Sequence, residues 1–275
     1  MRWGRQLFDF YLDASIHVAL SVLCLTYATV ILFHISLDRH LALFIFFTTI
    51  AGYNFIKYGV EAEKYILVSS AYHRYIQVFS FIAAGIAAYH AQGLNYRVWA
   101  VLGFLAILVG LYALPVLPQA RNLRNLGILK ILMVGFVWGG TTVILPYLAV
   151  KAELPWDVHV EALQRLILVL VLMLPFEIRD MQIDKPSLKT IPQRFGVKPT
   201  RIGGVVASLL FFLLTFLKDN YALPEVLAKA VLFLILIMVM WVTRKKQAPY
   251  FASFWVESVP MLWLAVLLAA DALYP

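Results

Sequence analysis

Long apolar stretches, broken only by short polar connections, set the organisation of this chain. An α-helix rises about 1.5 Å per residue, so about 20 apolar residues cross the hydrocarbon of a bilayer. Stretches of that kind predict helices at about 11–36, 41–60, 73–91, 97–117, 125–149, 158–182, 201–217, 223–243 and 252–272. Prolines punctuate them: Pro115 and Pro118 close the fourth, Pro155 opens the sixth, and Pro186, Pro192 and Pro199 mark a long loop after it. The pattern predicts an all-α integral membrane protein. Because helices sharing a bilayer bury their polar faces against one another, a single bundle of nine transmembrane helices is expected, filling residues 1–275 as one domain.

Composition removes the soluble alternatives, since 63% of residues are hydrophobic, 14% are charged and the mean hydropathy is +0.84. Charge placement then orients the bundle. With the N-terminus inside, Arg2, Arg5, Lys64, Arg74, Arg121, Arg124, Lys185, Lys189, Arg194, Lys198, Arg201, Arg244, Lys245 and Lys246 fall on one side. The other side holds Arg39, Arg97, Lys151 and Lys218. Basic residues collect in cytoplasmic loops, so the N-terminus is expected in the cytoplasm and the C-terminus across the membrane. The net charge of +8 then reflects topology and attraction to anionic headgroups or an anionic substrate, not nucleic-acid binding. Asp9 and Asp13 interrupt the signal-peptide-like start, and the apolar run continues to His34, which predicts a retained first helix. With no evident targeting extension, a cell (inner) membrane is expected. Cys24 is the only cysteine, so disulfides within the chain and cysteine metal sites are excluded.

The sixth apolar run ends abruptly in PFEIRDMQID, residues 175–184. On a helix turning about 100° per residue, Glu177, Asp180 and Asp184 project within about 60° of one another. Carboxylates crowded at a membrane-embedded end are costly unless a cation or basic partners balance them. Two carboxylates four residues apart can also hold Mg²⁺ against phosphate oxygens. The plainer alternative is that they mark the water interface, with Arg179 pairing locally.

The stretch EIRDMQIDK, running from Glu177 through Asp180 and Asp184 to Lys185, is followed by Lys189-Thr190 and Phe195-Gly196. Together they resemble the second aspartate-rich motif and following loop of the UbiA superfamily of intramembrane prenyltransferases. The hydrophobic layout is similar to that family over nearly the whole chain. The resemblance implies a UbiA-like fold with a first acidic motif at the cytoplasmic end of the second span, where this chain reads YNFIKYGVE from Tyr53 to Glu61. Asn54 matches and Glu61 replaces an aspartate conservatively. Lys57 departs from the pattern, standing where the family has an acid. The resemblance further implies Mg²⁺ and an isoprenyl diphosphate donor, with transfer of a polyprenyl group to an unidentified lipophilic or aromatic acceptor. Asp180 and Asp184 are then the expected catalytic metal ligands, Glu177 a third or outer ligand, and Asn54 and Glu61 the opposing half-site.

Lys57 leaves three readings open: a tethered cation touching diphosphate, a partner of Glu61, Glu177 or Asp180 that disables metal binding, or a side chain snorkelling to water. Among other basic candidates for the substrate, Lys130 stands out because a lysine inside a span is costly. Arg74 opens the third helix, and Lys189 belongs to the loop. Asp13 and His17, four apart, predict a hydrogen bond on one helix face, and Glu161 and Arg165 an internal ion pair. Gly135 and Gly139 predict a close helix contact. Two further functional classes remain beside the enzyme: a noncatalytic isoprenoid- or partner-binding protein of the same fold, and a transporter, which the terminal position of the acids disfavours.

Overall fold

A computed structural model describes residues 2–60, 70–113, 127–184 and 186–274. Among them every regular element is helical. Helix α1 (Arg2–Asp13) and α2 (Ile16–Leu32) meet at a bend of 54°, inside the stretch of about 11–36 expected as one helix. Ser15 takes a left-handed φ of 60° at the break. That conformation is costly for a residue with a Cβ. It is held because Ser15 Oγ donates to Asn54 Oδ1 at 2.7 Å and Asn54 Nδ2 donates to Ala14 O at 3.0 Å, so the second span fastens the bend.

Helix α3 (Arg39–Asn54) starts on Asp38, whose carboxylate accepts from the Leu41 N–H, and runs into a π-helical turn over Phe55–Val60. Next come α4 (Ala71–Ala91) and α5 (Tyr96–Ala113). Helices α6 (Ile128–Gly139) and α7 (Leu145–Val150) are joined by π-helical residues Gly140–Ile144. A widened turn directly before Pro146 accommodates a residue that brings no N–H to the helix ladder. The central column is α8 (Trp156–Asp180), about 37 Å long at the usual rise. In its apolar stretch 67% of residues are buried, against 44% or less in every other candidate span. Around it lie the short α9 (Ile191–Phe195), α10 (Val197–Leu213), α11 (Leu223–Val242) and α12 (Val259–Leu273), the last preceded by a π-helical segment over Phe251–Val256. The expected small-residue contact is present: a Cβ at Gly135 would lie 3.1 Å from Leu166 Cγ, and one at Gly139 3.2 Å from Ala162 O.

Seven of the described helices are long and apolar enough to cross a membrane, or eight when the bent α1–α2 pair counts as one span. The remaining rod of the expected nine, α4, has 21 residues, but His73, Arg74, Gln77, Ser80 and His90 dilute its apolar character.

Far from the acidic end, the Glu161–Arg165 pair forms at 3.1 Å with both side chains fully buried. It belongs to a larger network. Glu161 Oε2 also meets Lys218 at 2.9 Å and Lys229 at 2.7 Å, and Glu225 Oε1 meets the same lysines at 2.5 and 2.7 Å. Gln164 completes it, accepting from Lys229 and donating to Phe211 O and Thr215 Oγ1. Burial disfavours the charge on Lys218, which lies between spans, yet the Glu161 and Glu225 carboxylates outweigh burial and raise its pKa. Three cations thus share two carboxylates. Glu161→Gln leaves those cations short of charge and is expected to cost about 3–5 kcal/mol. Lys229→Met restores neutrality and is expected to cost less. Thermal unfolding midpoints of both purified variants check the order.

Candidate functional site

Helix α8 closes at Asp180, two residues before the expected end, and the chain then turns through 181–184. The Asp184 N–H still donates to Asp180 O at 2.8 Å, so the backbone winds once more and keeps Asp184 on the same side as Glu177. Lys130, in the first turn of α6, reaches both: its Nζ lies 2.6 Å from Glu177 Oε1 and 3.9 Å from Asp184 Oδ2. Asp180 is turned elsewhere and takes two bonds from the Arg179 guanidinium at 2.7 and 2.9 Å. The three acids therefore divide between two cations. Among the described residues no three His, Cys, Asp or Glu side chains gather closely enough to enclose a metal ion.

The loop after α8 is pressed onto the start of α6. Gly127 has a φ of 57°, and a Cβ there would lie 2.4 Å from Leu188 O, so only glycine admits the contact. Gln193 on α9 ties the loop from the other side, donating to Asp184 O at 3.1 Å and Met181 O at 3.3 Å and accepting from the Thr190 N–H. Gln247 Nε2 donates to Pro175 O at 2.7 Å, bracing the last turns of α8. These backbone contacts set the Lys130–Glu177–Asp184 geometry.

The expected opposing half-site is organised differently. Asn54 is buried and fully engaged, accepting from Ser15 Oγ and donating to Ala14 O and to Ser80 Oγ at 2.8 Å. Among the described residues Lys57 Nζ pairs with neither Glu177 nor Asp180; it lies 3.2 Å from Asp13 Oδ1 and 3.4 Å from Asp13 O. Tyr72 OH donates to Asp13 Oδ2 at 2.9 Å and Tyr58 OH to Asp13 O at 3.0 Å. Asp13 is thereby drawn away from His17, and the expected Asp13–His17 bond is replaced. His17 instead meets Tyr11 OH at 2.7 Å, Phe254 O at 3.0 Å and Ser258 Oγ at 3.1 Å. Glu61 lies outside the described residues. Arg74 and Lys189 are exposed, and neither joins the acidic cluster through a described ion pair.

Sequence reasoning passed over two acids of this end: Asp13 as the anchor of Lys57, and Glu257, which interrupts the apolar run of the last span. The expense of a carboxylate within an apolar segment was the available signal for Glu257. In the described ion pairs of this end Asp13, Glu177, Asp180 and Asp184 meet Lys57, Lys130 and Arg179, with Glu177 and Asp184 sharing Lys130. Asp184 Oδ2 is also buried without a hydrogen-bond partner. Mg²⁺ is commonly held by one or two carboxylates plus waters and phosphate oxygens. Glu177 and Asp184, which share the single cation Lys130 in the described ion pairs, fit that donor set.

No family model matches the chain, and no curated protein matches it. Solved structures share its architecture. A structure described for digeranylgeranylglyceryl phosphate synthase in membranes superposes with a TM-score of 0.57 at 16% identity, covering 98% of each chain. A UbiA homologue from Archaeoglobus fulgidus bound to GPP and Mg²⁺ gives 0.58 at 14% identity, covering 95% of this chain and 99% of that one. The same homologue bound to Cd²⁺ gives 0.57 at 14% identity, with 94% and 99% covered. The chain has the UbiA fold.

Asn54→Asp discriminates between a structural and a ligand role. It removes both donors from a buried position, and a loss of about 2–3 kcal/mol in stability is expected. Unfolding midpoints that stay at the wild-type value would contradict the fastening described above.

Proposed function

We propose that this chain is a membrane prenyltransferase. It binds an isoprenyl diphosphate with Mg²⁺ at the acidic end of α8 and transfers the polyprenyl group to a lipophilic or aromatic acceptor. The observation that carries this reading is the Glu177–Asp184 pair, which shares Lys130 in the described ion pairs and leaves Asp184 Oδ2 buried without a hydrogen-bond partner, at one end of a UbiA fold. The positive-inside bias of the loops supports a cytoplasmic position for that end and for the N-terminus, in the cell membrane. In this reading residues 1–275 form one domain carrying one site.

The metal, when bound, neutralises charge growing on the departing diphosphate, the principal barrier to breaking an allylic carbon–oxygen bond. Glu177 and Asp184 would hold it, and Asp180 joins them if Arg179 turns to the diphosphate. Lys130, already between Glu177 and Asp184, meets phosphate oxygens directly, and Arg74 and Lys189 at the rim attract the anion as it enters. Lys57 and Asn54 keep the α1–α2 bend in place.

A second reading has a specific observation in its favour. Lys57 occupies Asp13 and Asn54 is consumed by the bend, so one expected metal half-site is given over to structure. A noncatalytic isoprenoid-binding protein of this fold would show that arrangement.

Equilibrium binding of geranyl S-thiolodiphosphate to purified protein tests the shared part of both readings. Binding is expected with Mg²⁺ and not with EDTA, and Asp184→Asn or Glu177→Gln is expected to weaken it about tenfold or more, ~1.4 kcal/mol. A wild-type protein that fails to bind the analogue at all sinks both. Transfer of label from geranyl diphosphate into a membrane lipid extract then separates enzyme from binder.

A further inference from the structure

Two histidines stand at the end of the bundle away from the acidic cluster. His40 lies in the first turn of α3, whose other end carries Asn54, and His90 lies in the last turn of α4. The two helices pack side by side, so the start of one meets the close of the other. Backbone contacts place both rings. The Asp38 carboxylate fixes the start of α3 by accepting from the Leu41 N–H at 3.0 Å. After α4 the Gly93 N–H donates to His90 O at 3.2 Å, and the turn lays Gly93 on the His40 ring. A Cβ at Gly93 would lie 3.0 Å from His40 Cγ and 3.2 Å from its Nδ1. Each histidine is half-buried, so solvent reaches the pair.

The rings meet through their Nδ1 atoms, 3.1 Å apart, with centroids 5.0 Å apart and planes inclined by 62°. A hydrogen bond accounts for the contact when one Nδ1 carries a proton and the other is bare. The distances also fit a second arrangement. An imidazole nitrogen lies about 1.2 Å from its ring centroid and about 2.0 Å from a zinc-like ion that it ligates, so two rings aimed at one ion have centroids about 1.6 times as far apart as their nitrogens. The 5.0 and 3.1 Å found here stand in that ratio. A bond running straight along both ring axes would instead hold the centroids about 5.5 Å apart at this nitrogen spacing. Nitrogens 3.1 Å apart and each about 2.0 Å from an ion subtend about 100° there, close to a tetrahedral angle.

We propose that His40 and His90 form a site for a late first-row divalent cation of the zinc and copper class, which clips the start of α3 to the close of α4. Imidazole nitrogen is a preferred donor for those ions, whereas Mg²⁺ takes oxygen, so the site is chemically separate from the carboxylate end. Both ligands act as neutral imidazoles through Nδ1, with the ring proton on Nε2. Among the described residues no further His, Cys, Asp or Glu joins them. The other coordination positions go to water, which the exposure of the pair allows. Packing between spans gains little from the hydrophobic effect in lipid, and α4 carries several polar residues, so a ligand bond across its end strengthens a contact that apolar packing holds weakly. Occupation of the site is independent of prenyl transfer.

The test uses the full chain, purified without a metal-affinity tag and stripped with EDTA, then titrated with ZnCl₂ in excess Mg²⁺ to keep zinc from the carboxylate end. His40→Ala and His90→Ala are each expected to weaken zinc binding about tenfold or more. Zinc is expected to raise the thermal unfolding midpoint of wild type and to leave that of the double variant unchanged. Gly93→Ala keeps both ligands but pushes His40 aside, and is expected to weaken binding without changing the number of ions bound. A parallel titration with CuCl₂, read by electron spin echo of the bound ion, counts coordinated imidazoles in the wild type itself, so the outcome does not depend on the alanine variants folding. Two imidazoles on one copper uphold the site; one or none overturns it. Equal zinc affinity in the double variant overturns it as well, as does a wild type that takes up neither ion at micromolar concentration.

Discussion

Arg165 cannot leave its charge in the apolar interior, and much of the bundle is arranged around answering it. Its guanidinium donates to Leu25 O at 2.7 Å, Thr142 Oγ1 at 3.2 Å, Thr29 Oγ1 at 3.3 Å and Glu161, and it lies 5.1 Å from the Trp263 ring. One side chain on α8 thereby touches α2, the π segment before α7, and α12. In hydrocarbon there is little hydrophobic force to press helices together, so directional polar contacts and close packing must hold their register. Glu161 extends the same contacts through Lys218 and Lys229 to α11, which fixes the far end of α8 on all sides.

That fixed end gives the other end its freedom. At Glu161 every charge is enclosed, both lysines are shared between carboxylates, and the excess is positive. At Glu177 the excess is negative, Lys130 keeps 17% of its side-chain surface exposed, and Asp184 leaves an acceptor unused. The two clusters sit on one helix and obey the same electrostatics. Their difference lies in charge balance: a closed, overcompensated network is suited to holding helices, whereas an open and undercompensated one is suited to receiving a cation and an anion together.

Hydropathy made most of the spans legible, because length and apolarity are local properties. The cost of a lysine within a span also singled out Lys130, and helical spacing placed Glu161 beside Arg165. The bend at Ser15 was not legible, since it depends on Asn54, nearly forty residues later in the chain, reaching back to Ala14 and Ser15. At Asp180 two readings were open, metal binding and local pairing with Arg179. Angular position on a helix says which side an acid faces, but it does not choose between them; in the structure Arg179, the preceding residue, curls around to pair with it. Glu257 was legible by the argument used for Glu177, a carboxylate interrupting an apolar run.

Lys57 joins these observations. An acid at its position would stand opposite Asp13, where Tyr72 already donates its hydroxyl. Two carboxylates there would repel unless a cation came between them. The lysine supplies that cation covalently, so the bend of α1 against α2 is stable whether or not the cleft holds a metal. A bend secured without metal keeps His17 on Tyr11, Phe254 O and Ser258, which ties α1 and α2 to the segment that leads into α12. The departure at Lys57 therefore serves the bend itself: the contact that joins α1 to the second span is made by the chain's own cation and needs no bound ion.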